Sequence, residues 1–154
     1  MTAEEVARTE QDLGYELPGD LIEMLSIHNG GDILDSTPWH PCHRLPQQTS
    51  AFHNFTLDLL LTDRTPRALP GSKAILFAGL GMLGLVYDVG VGDGRILYYD
   101  TGSRAAMIEL APNLAALIEK HIELAESGEI RLRPGNQWPT GTTSTTAIPF
   151  QTMS

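Results

Sequence analysis

Three short apolar runs, separated only by glycine-bearing links, restrict the fold of this chain more than any other feature. Ala74-Ile75-Leu76-Phe77-Ala78, Leu83-Gly84-Leu85-Val86-Tyr87-Asp88 and Arg95-Ile96-Leu97-Tyr98-Tyr99-Asp100 read as buried strands. The link Val89-Gly90-Val91-Gly92-Asp93-Gly94 is rich in residues that tolerate positive φ, which predicts an antiparallel hairpin. Ala105 to Leu110 offers a further short edge strand.

Helical signals flank these runs. Thr2 and Glu5 have capping-box spacing, predicting a first helix to about Leu13 that Gly14 ends in a left-handed conformation. Its apolar face, Val6 and Leu13, is thin and suits a surface position. Pro18 is expected at the first position of a second helix, with Leu21, Ile22, Met24 and Leu25 inward and Asn29-Gly30-Gly31 as the stop. Pro112 opens a last helix in which Leu114, Leu117, Ile118, His121, Ile122 and Ala125 share a face, and Gly128 ends it.

Between residues 32 and 72 five prolines interrupt the pattern, and the hydrophobic run from Phe52 to Leu61 fits a strand or a helix. Residues 134–154 carry Pro134, Gly135, Pro139, Gly141 and a Thr/Ser run, too little apolar surface to offset ordering entropy, so a flexible tail is expected there. The fold expected is α+β: helices packed against a mostly antiparallel sheet in one domain over residues 1–133.

Composition narrows the function classes. The chain has 154 residues, 42% hydrophobic and 19% charged, which is one globular domain's worth. Its formal charge of −9 repels a phosphate backbone, so direct nucleic-acid binding is not expected; a basic protein partner suits it. Cys42 is the single cysteine, so no intramolecular disulfide can form and a reducing, cytoplasmic setting is expected. The N-terminus has no signal-peptide pattern, no run nears the ~20 apolar residues of a bilayer span, and no membrane contact is expected.

Glu10, Leu13-Gly14, Leu17-Pro18, Leu21, Leu25 and Asn29-Gly30-Gly31 resemble the N-terminal signature of the SUKH superfamily, which groups fungal cell-wall synthesis regulators with bacterial toxin-immunity proteins. Its second signature is matched by Ile75 to Ala78, Gly84 and Val86-Tyr87-Asp88, a later strand by Ile96 to Asp100, and the closing helix by Leu114 to Ile122. The resemblance runs from about Val6 to Leu124 and leaves Trp39 to Thr65 unmatched. It implies an α+β domain that binds another protein, with no catalytic centre and no cofactor. The implied partner is a cognate toxin, which a basic, nucleic-acid-targeting domain would fit; an endogenous partner of a regulatory module is the alternative. Trp39, as an aromatic anchor, and Asp88, Asp93 and Asp100, as acids at strand ends and links, are the candidate partner contacts. Gly14, Leu17, Pro18, Asn29, Gly30, Gly31 and Gly84 are read as structural; Asp88 and Asp100 have the further reading of turn caps.

Two motifs compete with this reading. Gly79-Leu80-Gly81-Met82-Leu83-Gly84 fits G-x-G-x-x-G after a strand, with Asp100 about 20 residues on. A dinucleotide site needs a helix opening within the motif, and a helix through Val86, Tyr87, Gly90, Gly92 and Gly94 would lose about 1 kcal/mol per glycine. His40, Cys42, His43 and His53 are the right residue types for zinc but lack ligand spacing, and nothing in sequence orients Cys42 as a nucleophile. His28 and His121 fall beside helix apolar faces and are read as near-core groups.

Overall fold

The computed structural model describes residues 1–33, 37–57, 70–71, 73–80, 83–100 and 106–128. The expected tail at 134–154, the boundary at 133 and the second part of the Phe52–Leu61 run lie outside the described residues.

Helix α1 (Ala3–Leu13) starts as its cap predicts: Thr2 Oγ1 accepts the Glu5 backbone N–H at 3.1 Å. Gly14 ends it at φ 87°, its N–H donating to the Glu10 carbonyl. The chain then folds back because the Glu10 carboxylate accepts the Leu17 N–H at 2.6 Å. Helix α2 (Gly19–Ile27) begins one residue later than expected. Pro18 is extended there, with ψ 143°, and serves as the N-cap rather than the first helical residue. Leu21 and Leu25, one turn apart, are fully buried.

Six strands follow as β1 (Gly31–Ile33), β2 (Thr37–Trp39), β3 (Ala74–Leu80), β4 (Leu83–Asp88), β5 (Ile96–Asp100) and β6 (Ala106–Ala111). Among the described residues they form one antiparallel meander in chain order. The runs legible in sequence are its centre; β1 and β2 are not, because each is three residues long and Gly31 and Pro38 lie in them. A 3₁₀ turn (Cys42–Arg44), helix α3 (Leu45–Ala51) and a π turn (Phe52–Leu57) come between β2 and β3, so the ambiguous hydrophobic run begins helical. Helix α4 (Leu114–Ser127) closes the fold, capped by the Asn113 side chain, which accepts the Ala116 N–H at 2.8 Å.

Both faces of the sheet are covered. Ile75, Phe77, Leu85, Tyr87, Ile96 and Tyr98 pack with α2 and α4 through Leu21, Leu25, Leu114 and Leu117. Ala74, Leu76, Val86, Leu97, Tyr99 and Met107 point to the other face with Phe52. At the β3–β4 turn Gly79, at φ 109°, pairs with Gly84. A Cβ on Gly84 would lie 2.5 Å from the Ala78 carbonyl oxygen and 3.1 Å from the Tyr99 ring. The described ends of the Gly79–Gly84 motif therefore pair as antiparallel strands, and among the described residues no helix N-terminus stands where a pyrophosphate would need one.

Candidate functional site

The α1–α2 link and the β4–β5 link are more than seventy residues apart, yet they face each other across an open cleft of about 750 Å³. Gly14, Leu17 and Pro18 form one wall with Glu16 and Asp20; Tyr87, Gly92, Asp93 and Gly94 form the other. Tyr87 joins the walls, because its hydroxyl donates to Asp20 Oδ1 at 2.6 Å. Burial first, and the Asp20 carboxylate second, push the Tyr87 hydroxyl well above the usual phenol range, so it stays a donor. Gly94 allows this approach: at φ 83° it lies flat against the Tyr87 ring, where any Cβ would collide. Tyr15 fixes the outer end by donating to the Ala74 carbonyl at 3.1 Å, and the Lys73 ammonium lies 5.6 Å above its ring. Glu16, Asp20 and Asp93 against Lys73 leave the cleft net acidic.

Asp20 also lines a second concavity, an apolar groove of about 340 Å³ between α2 and α4. Trp39 forms part of it, and Trp39, Phe77 and Tyr87 make an edge-to-face aromatic row beneath α2 from groove to cleft.

A family model described as the SMI1 / KNR4 family (SUKH-1) matches residues 1–120. The chain belongs to that family. No curated protein sequence matches it. The SUKH signature residues can now be given physical work: Glu10, Gly14, Leu17 and Pro18 shape the cleft wall. Asn29 pins the β2–α3 connection, its Oδ1 accepting the Cys42 N–H at 2.8 Å. Gly31, at φ 106°, turns the chain into β1, and Gly30 packs against Pro41.

The candidate partner contacts are not brought together as one surface. Asp93 alone of the four is exposed, on the cleft rim. Trp39 is 3% exposed, so it supports the groove from below rather than projecting as an anchor. Asp88 is fully buried, accepting from Gly71 N–H at 2.7 Å and from Arg95 Nε at 3.0 Å. Its carboxylate holds the hairpin base together, in line with the turn-cap reading of a strand-end acid. Asp100 is also buried and accepts from the Tyr98 hydroxyl at 3.3 Å. Sequence reasoning passed over Tyr15, Glu16, Asp20, Lys73 and Tyr87. Tyr15, Glu16 and Asp20 lie within the stretch that carries the N-terminal SUKH signature and Tyr87 within the second one, but no residue pattern marked them as one site; Lys73 and Tyr87 reach the others through long-range folding.

The SUKH domain's histidines and its thiol are dispersed. Cys42 is buried against Thr9, and burial pushes its thiol upward, away from the reactive thiolate. His40 is buried, which lowers its pKa, while His43 is exposed and faces Glu5 at 3.4 Å. His53 lies edge-on to Phe52. Among the described residues no group of three His, Cys, Asp or Glu side chains is placed to hold a metal ion. His28 is exposed at the end of α2, contrary to the near-core expectation, because the helix stops before its side chain can turn inward. His121 is buried as expected. No helix among the described residues is long and apolar enough to cross a membrane.

Proposed function

We propose that this protein is a non-enzymatic binding module that acts in the cytoplasm as an immunity protein, holding a cognate bacterial toxin domain and blocking its active surface. The observation that carries the reading is the cleft: a preformed concavity built by the family's own signature, with Glu16, Asp20 and Asp93 around it. The acidic net charge of −9 steers a basic partner toward such a wall, and toxins that act on nucleic acid present basic surfaces. The mechanism is steric: the toxin's substrate groove is covered, and no bond is made or broken.

The test is a search beside this gene for an encoded toxin domain and, where one is found, its association with the protein, followed by stopped-flow kinetics of the wild type and of Asp93→Lys and Glu16→Lys. Both side chains are exposed, so the fold is preserved and a slower on-rate is the expected outcome. Unchanged rates for both variants would remove the cleft from the interface. The family description, which names SMI1 / KNR4, favours one second reading, a regulatory module with an endogenous partner. Affinity capture from the native organism at low and high salt separates the two. A dominant partner with a toxin-like C-terminal domain supports immunity; housekeeping cell-envelope proteins support regulation.

A further inference from the structure

We propose that the groove between α2 and α4 seats a segment of the partner protein that carries large apolar side chains with Lys or Arg beside them. This rests on the protein-binding reading above and adds a second, chemically distinct part to the interface. The groove walls are Met24 and Ile27 from α2 and Leu114, Ala115 and Ile118 from α4, over the buried Trp39. Its volume of about 340 Å³ is at the small end for ligand pockets, a size for side chains rather than for a large cofactor. Ile27 is 74% exposed at its edge, and Ile122, one turn beyond Ile118 on α4, is 49% exposed. An exposed aliphatic side chain such as Ile27 on the rim of an otherwise apolar lining is the kind of surface that marks a binding groove.

Charge says what sits there. The charged side chains lining the groove are Asp20 and Glu23, both acidic, with His28 at the end. An acidic apolar segment would bring like charges together as it desolvated them, whereas Lys or Arg beside the apolar side chains would pair. Asp20 belongs to the groove and to the cleft, so one acidic edge runs through both. The chain itself contains a similar pattern in Ile130-Arg131-Leu132-Arg133, beyond the end of α4. That segment is the rival occupant.

Trp39 supplies the readout. The full chain with Trp138→Phe keeps Trp39 as its single indole. It is titrated with two short synthetic peptides that share leucines at helical spacing and carry either Lys or Glu at the remaining positions. A saturable change in Trp39 emission is expected, with the Lys peptide at least about tenfold tighter than the Glu peptide. Ile27→Ser, at an exposed position, should weaken the Lys peptide by about tenfold, and Glu23→Lys should bring the two peptides close to equal. Equal binding of both peptides to the wild type, no emission change, or an unaffected Ile27→Ser variant would overturn the proposal. So would a response that appears only after Arg131 and Arg133 are replaced by Ser, which would assign the groove to the chain's own segment. With the toxin domain the two ideas separate. If Asp93→Lys slows association while Ile27→Ser and Glu23→Lys leave affinity unchanged, the cleft stands and the groove falls.

Discussion

Asp88 and Gly84 occupy one strand and contribute in opposite ways, one by what its side chain does and one by having none. Both Asp88 oxygens are engaged, by Arg95 Nε at 3.0 Å and the Gly71 N–H at 2.7 Å, at a site without solvent exposure. Asp88→Ala therefore leaves the Gly71 amide without this acceptor and takes the buried carboxylate from Arg95, whose guanidinium keeps Glu109 at 3.8 Å. Arg95 remains 22% exposed, which holds the loss to the low end of that for a broken buried pair, roughly 3 kcal/mol in urea denaturation. Gly84→Ala forces a methyl to within 2.5 Å of the Ala78 oxygen, and the strands must part; a loss of about 2 kcal/mol is expected by the same measurement. Gly14→Ala meets open space and suffers only from its φ of 87°, at about 1 kcal/mol. A ranking with Gly14→Ala worse than Gly84→Ala would contradict the close approach of β3 and β4. The Gly14 cost is legible locally, as the left-handed stop of α1, whereas the larger Gly84 cost depends on how closely β3 and β5 approach it.

At the scale of elements, α4 shows which signals survive folding. Its amphipathic stripe, Leu114, Leu117, His121 and Leu124, is buried, and its ends are set by Asn113 and by Gly128 at φ 82°. Placing His121 in that stripe has a consequence for acid stability. Burial pushes its pKa down from 6.5 to about 4. On acidification the unfolded chain takes up this proton first, so the stabilisation is complete above pH 6.5 and is lost as pH falls toward 4. The full loss is on the order of 3 kcal/mol, and the lowered pKa of His40 acts in the same direction. Denaturation midpoints across this window should fall for the wild type and fall much less for His121→Leu. Parallel curves would mean that the imidazole is protonated in the native state. Strands β1 and β2 are the converse case: Gly31 and Pro38 argue against strand locally, and the pairing of β2 with β3 and of β1 with β2 overrides them.

For the whole molecule, charge and layering decide most. If the acidic cleft and groove meet a basic partner, association should slow steeply between low and physiological salt while dissociation changes little. A salt-independent on-rate would separate the net charge of −9 from recognition. Layering explains why the central strands lack the clean alternation of a half-exposed antiparallel sheet: helices cover one face and Phe52 contributes to the cover of the other, so both sets of side chains are apolar. Local chemistry was enough for the helix caps, the glycine stops, the three central strands, the hairpin and the α+β class, because propensity, period and turn residues act over a few neighbours. It was enough for the family as well, whose signature is a run of such local devices. Tertiary structure alone decided that Trp39, Asp88 and Asp100 turn inward while Glu16, Asp20, Tyr87 and Asp93 gather at one cleft. Which distant link stands opposite a helix turn depends on contacts between segments more than sixty residues apart, and which face a strand-end acid takes depends on partners such as Gly71 and Arg95 that only the folded sheet brings to Asp88, so no short-range pattern records either.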